Sequence, residues 1–171
     1  MKNKVNVRFI IFIGIILLVV ALAVFGIIKG VSGKKAGTYK EITPEEYSKI
    51  ASKEGYNVND ITESLSSYSY IKSAVMAVSQ DGTYEIEYYK FEDEKTALNF
   101  VNNKKMAISM LTSGDSTVEE LAETDYFKYA EETDTYYCLV FKIGTTVVCS
   151  DVKLEQKEDV VKVFQKIGYM N

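Results

Sequence analysis

Residues 71–91 read IKSAVMAVSQDGTYEIEYYKF, with the pair Asp81-Gly82 at their centre. Asp-Gly is a dipeptide favoured by the two-residue type I′ turn, whose central residues both need φ > 0. Apolar and polar residues alternate with a period of two on either side, so the stretch predicts a β-hairpin from Ile71 to Phe91. In that register Val75, Ala77, Tyr84, Ile86 and Tyr88 share one face, while Glu85, Glu87 and Tyr89 share the other.

Downstream of the hairpin the period changes. Asp93 is a good N-cap residue, and Ala97, Leu98, Val101, Ile108 and Leu111 recur at helical spacing, which predicts a helix over 94–111. Ser113-Gly114-Asp115 ends it, Ser116 with Glu119 offers a capping box and a short helical turn, and Tyr126 to Ala130 reads as a strand. The order then returns. Tyr136 to Lys142 and Thr145 to Val152 are rich in β-branched and aromatic residues around Ile143-Gly144, and Val160, Val161, Val163, Phe164 and Ile167 form a helical stripe ended by Gly168. Gly82 and Gly144 lie 62 residues apart, and Ala97-Leu98-x-Phe100-Val101 precedes Val160-Val161-x-Val163-Phe164 by 63. Two ββα-like units in one antiparallel sheet, with helices packed on one face, make this an α+β fold.

Upstream, Thr43-Pro44-Glu45-Glu46 supplies a capping hydroxyl, Pro at N1 and Glu at N3, with Ile42 and Tyr47 as a hydrophobic staple. A helix therefore starts at Pro44 and closes at Gly55, and Tyr56-Asn57-Val58 resumes in extended form. Folded sequence begins near Tyr39, and residues 39–171 suffice for one domain with one core.

Farther upstream, residues 9–28 read FIIFIGIILLVVALAVFGII, twenty residues without a charge between Arg8 and Lys29. At about 1.5 Å per residue they cover roughly 30 Å, the thickness of a bilayer core. The run predicts a single-pass transmembrane helix acting as signal anchor, preceded by a short tail (1–8) and followed by a glycine-bearing flexible linker (29–38). Ala21-Leu22-Ala23 also has the form of a signal-peptidase site, but the apolar run continues past it, beyond the ordinary length of a signal h-region. Lysines flank both ends evenly, so orientation rests on the short tail, which places the N-terminus in the cytoplasm and the following domain outside.

Charge narrows the partners. Residues 1–35 hold six of the 20 basic residues and no acid, leaving 14 basic against 24 acidic residues in the remainder. An acidic domain does not neutralise phosphates, which excludes nucleic acid. The chain has no His and no Trp, and its one Arg is Arg8. Ser-His-Asp and Cys-His catalysis, guanidinium clamping of phosphates, nucleotide-binding glycine loops and the EF-hand loop are all missing, and nothing requires a metal or cofactor.

If Ile143-Gly144 is the turn, Cys138 and Cys149 lie opposite one another across the second hairpin. Opposed Cβ atoms sit about 4.5 to 5.5 Å apart, wide for the roughly 3.5 to 4.5 Å of a disulfide, so a strained disulfide and two reduced, partly buried thiols both remain open.

The 13 tyrosines all follow the apolar run. Tyrosine paves sheets, and it also serves interfaces and stacks on sugar rings. On the hairpin, Glu85, Glu87 and Tyr89 are expected to face outward as a shallow binding surface, with Tyr88 buried beneath the helices at 94–111 and 157–167. In overall plan, a basic tail, one span and an acidic domain rich in Lys and Tyr, the chain resembles small uncharacterised membrane-anchored extracytoplasmic proteins of Gram-positive bacteria. That resemblance implies no activity and no site. The sequence points to a membrane-anchored extracytoplasmic domain that binds an envelope protein or cell-wall glycan without catalysis, the alternative being a small hydrolase that uses carboxylates on a cell-envelope substrate.

Overall fold

In the computed structural model, residues 39–111, 115–123 and 125–170 are described. The expected tail (1–8), span (9–28) and linker (29–38) lie outside them. Among the described residues no helix is long and apolar enough to cross a membrane.

The chain runs α1 (Pro44–Lys53), β1 (Asn57–Asp60), β2 (Ile71–Val78), β3 (Glu85–Phe91), α2 (Glu94–Leu111), β4 (Thr117–Ala122), β5 (Tyr126–Glu132), β6 (Tyr136–Ile143), β7 (Thr146–Lys153) and α3 (Lys157–Lys166). The fold is α+β. Seven strands form one sheet in the order β1-β2-β3-β7-β6-β5-β4, and every neighbouring pair is antiparallel.

Local chemistry sets the first helix. The Glu46 N–H donates to Thr43 Oγ1 at 3.1 Å and the Thr43 N–H to Glu46 Oε2 at 2.9 Å, so the capping box closes with Pro44 at the first turn. Gly55, at φ 92, supplies the left-handed residue that releases the chain into β1. Asp93 caps α2 by accepting the Thr96 N–H at 2.7 Å.

The helices do not share one face, which corrects the sequence expectation. Successive residues Tyr88 and Tyr89 of β3 point to opposite sides. Tyr88 stacks on Tyr47 of α1, with ring centroids 5.2 Å apart, within the cluster that holds Val160, Val163 and Phe164 of α3. Tyr89 meets Phe100 of α2 at 4.9 Å, in a second cluster with Ala97, Val101 and Ile108. The helices α1 and α3 thus cover one face and α2 the other. Central strands β6 and β7 explain why: Leu139 and Phe141 are buried toward α1 and α3, and Val140, Val147 and Cys149 toward α2, so both faces need a cover.

The two ββα units match in order but not in placement. Gly82 and Gly144 both have positive φ, and Ala97, Phe100 and Val101 are buried as their counterparts Val160, Val163 and Phe164 are. Strands β3 and β7 are antiparallel neighbours, so a two-fold axis normal to the sheet would leave both helices on one side. Their opposite placement rules that symmetry out.

Turn chemistry corrects two further expectations. In the first hairpin Val75 opposes Tyr88 and Ala77 opposes Ile86, the register expected about Asp81-Gly82. Its loop is nevertheless longer than two residues: pairing ends at Val78 and Glu85, and within the loop Gly82 alone has positive φ. Asp81 Oδ1 organises the loop instead, accepting from the Ser79 hydroxyl at 2.7 Å and the Thr83 N–H at 3.1 Å. In the second hairpin Ile143 pairs with Thr146, so the central residues are Gly144 and Thr145, with positive φ at the first alone, as a type II′ turn requires. Glu41 pins that turn by accepting the Thr145 N–H and, at 2.7 Å, the Lys90 ammonium. The segment expected as a helical turn at Ser116–Glu119 instead enters edge strand β4 at Thr117, and Glu119 and Glu120 of that strand form ion pairs with Lys128 and Lys105.

Candidate functional site

The surface expected at Glu85, Glu87 and Tyr89 is covered by α2. Tyr89 is 5% exposed and Glu87 6%, and Glu85 is half-buried. Physically, α2 carries Lys104 within its inward stripe of Ala97, Phe100, Val101 and Ile108, and the Lys104 ammonium meets Glu87 Oε2 at 2.8 Å.

Beside the apolar residues beneath α2 lies a polar group. Cys149 Sγ donates to Glu87 Oε2 at 3.4 Å, and Cys138 Sγ to Asp151 Oδ1 at 3.1 Å. Burial opposes the charge of Glu87, but Lys104 and the hydrogen bonds it receives hold its pKa below the ordinary value. Burial also opposes the Lys104 ammonium, and its acidic neighbours outweigh that, leaving its pKa raised. Glu85 behaves oppositely to Glu87. Burial, followed by the neighbouring charge of Glu87, lifts its pKa to about 7.

The cysteines are not opposed. Cys138 pairs with Asp151 and Cys149 with Val140, and both thiols are free. The one-step shift of the turn from Ile143-Gly144 to Gly144-Thr145 moves every partner by two residues, leaving the two cysteines diagonal. Burial raises both thiol pKa values, which makes them poor nucleophiles.

A different site opens at the end of the first hairpin. The C-terminus of α1 (Glu54, Gly55), the start of β1 (Tyr56), the β2–β3 loop (Ser79, Gln80, Asp81, Tyr84) and the first turns of α3 (Asp159, Lys162) line an open cleft of about 480 Å³. Tyr56 and Tyr84 meet edge to face, with ring centroids 5.9 Å apart at 84°. Their hydroxyls are 3.1 Å apart, and the Tyr84 hydroxyl donates to Asp159 Oδ2 at 3.4 Å. The chain Tyr56 to Tyr84 to Asp159 leaves the carboxylate as terminal acceptor, and burial raises both phenol pKa values. Lys162 binds Glu54 at 2.7 Å and lowers its pKa; hydrogen bonds from Ser79 and Thr83 lower that of Asp81. Gly55 is favoured by its positive φ, and a Cβ there would stand 3.3 Å from Gln80 Nε2, the movable end of a side chain.

Sequence reasoning read Gly55, Asp81 and Gly82 as punctuation, and Tyr84 as one more sheet tyrosine. The Tyr84–Asp159 contact spans 75 residues, and no local pattern announces it. Among the described residues no group of three or more His, Cys, Asp or Glu side chains is placed to hold a metal ion. Compared with known protein families, curated proteins and solved structures, the chain matches none.

Proposed function

We propose that this protein is a binding domain held at the cell membrane. Residues 9–28 act as its single-pass anchor in the lipid bilayer, residues 1–8 lie in the cytoplasm, and residues 39–171 stand outside and engage a cell-wall glycan through the Tyr56–Tyr84 cleft. The observation that carries the reading is the lining of that cleft: two aromatic rings at right angles, an amide and several carboxylates around an open space of about 480 Å³. Aromatic faces take the apolar side of a sugar ring, and planar acceptors take its hydroxyls. The carboxyls of Glu54 and Asp81 are held toward the ionised form, which suits accepting hydrogen bonds rather than donating a proton.

Full-length protein in detergent should co-sediment with insoluble cell-wall glycan, and Tyr84→Ala should reduce that retention at least several-fold while the protein stays folded by circular dichroism. Equal retention of wild type and variant overturns the placement of the site. In intact cells externally added protease should digest the domain, and a protected domain overturns the orientation.

One observation favours the hydrolase: Glu85, with a pKa raised to about 7, neighbours Glu87, whose pKa is lowered, the division of labour that acid–base pairs use. Glu87 is buried and bonded to Lys104, however, which leaves no approach for a substrate. Release of reducing ends from cell-wall glycan by wild type but not by Glu85→Gln would establish that reading instead.

A further inference from the structure

The charges around the cleft do not cancel. Glu54, Asp81 and Asp159 face it together with one cation, Lys162, and that ammonium is already committed to Glu54 at 2.7 Å. Asp81 and Asp159 are anchored as acceptors, Asp81 by Ser79 and Thr83 and Asp159 by the Tyr84 hydroxyl. The Tyr84 and Tyr56 rings line the same cleft, with hydroxyls tied to one another, so the rings are fixed in place.

A neutral sugar would satisfy the rings and the acceptors but leave three carboxylates facing one lining ammonium, that of Lys162, which bonds Glu54 and acts on Asp159 only from farther away. An ammonium on the same sugar would meet Asp81 or Asp159 directly and gain from the aromatic face beside it. From the pairing of fixed acceptors with tyrosine rings in one concave space, we infer that the cleft selects a glycan bearing free amines over its N-acylated counterpart. The inference rests on the glycan reading of this site and adds the chemical group that the site prefers. Acylation removes the charge and adds bulk, so both effects act in one direction.

The test uses full-length protein in detergent with two probes of equal length, a glucosamine tetrasaccharide and an N-acetylglucosamine tetrasaccharide, titrated by calorimetry at low ionic strength and at about 0.15 M salt. The expected result is at least tenfold tighter binding of the amine form at low salt, narrowing as salt screens the contact. The double variant Asp81→Asn and Asp159→Asn keeps an acceptor oxygen at each position, and in it the preference should fall toward unity. Equal affinity of wild type for the two probes overturns the amine preference and leaves the glycan reading standing. Binding of neither probe overturns both. A preference that survives in the double variant, with an unchanged melting temperature showing that it folds, places the selective contact outside the cleft and overturns the inference.

Discussion

The two faces of the sheet bury neighbouring residues of the same strands in different chemistry. Toward α1 and α3, Tyr47, Tyr88, Phe141 and Phe164 are fully buried, and the tyrosine hydroxyls donate to backbone carbonyls: Tyr47 to Ile86 at 2.7 Å and Tyr88 to Ile42 at 3.0 Å. Toward α2, the apolar group of Tyr89, Phe91 and Phe100 gives way within a few residues to Glu87, Lys104 and Cys149. Among the described residues no charged side chain is fully buried on the first face, whereas the other accepts a carboxylate because a lysine comes down on it from the covering helix. Alternation along a strand therefore reports which residues share a side, and it does not report which side meets water.

The largest effects separate these faces from an exposed surface. Tyr88→Ala removes a fully buried ring and strands the Ile42 carbonyl, so chemical denaturation should show a loss of about 4 kcal/mol. Tyr89→Ala should cost about 3 kcal/mol, since its ring is packed against Phe91 and Phe100. A silent Tyr89→Ala, with the cost confined to Tyr88, would mean that α2 does not cover this face.

Much of the fold was legible because its signals are local. The capping box at Thr43, the Asp93 cap, the terminal glycines at 55 and 168 and the first hairpin's register all follow from neighbouring residues. What escaped reading needed information from far away. The second register depended on whether Gly144 takes the first or second place in its turn, a choice tied to Glu41 more than a hundred residues earlier. The two-sided cover could be inferred only from the near-continuous apolar runs of β6 and β7, which the alternation of the first hairpin outweighed. The cleft was illegible for the same reason: its lining comes from three separated segments, and each residue has an ordinary local role.

Next in size is the ion pair that joins α2 to the polar part of its face. Lys104→Met leaves Glu87 buried without its partner and should cost about 3 kcal/mol. Adding Glu87→Leu removes the stranded carboxylate, and the double variant should recover most of the loss, because an apolar pair in a buried position is no worse than an ionic one. Such a cycle sharpens the comparison: recovery makes the α2 face a place where charge is accommodated in pairs. A double variant no more stable than Lys104→Met would show that the two groups do not interact across the interface.

The smallest effect is a pH dependence that belongs to the α2 face alone. Glu85 rises from the ordinary 4.5 to about 7 in the folded protein, through burial first and then the charge of Glu87, with Asp151 adding to it and Lys104 opposing. The folded state therefore holds a proton that the unfolded chain has released, and this contribution to stability is full below about pH 4.5 and lost as pH rises through 7. Glu85→Gln keeps the shape and removes the titration. At pH 8 the variant should be the more stable, by on the order of 1 kcal/mol once the solvent screening of a half-buried carboxyl is allowed for, and the advantage should vanish toward pH 4.5. Carboxyls with lowered pKa, such as Glu41 and Asp93, give the opposite slope in both proteins and cancel in the difference between their melting curves. A difference that stays flat with pH would show that Glu85 is solvated like any surface glutamate, and the polar end of the α2 face would then have to be open.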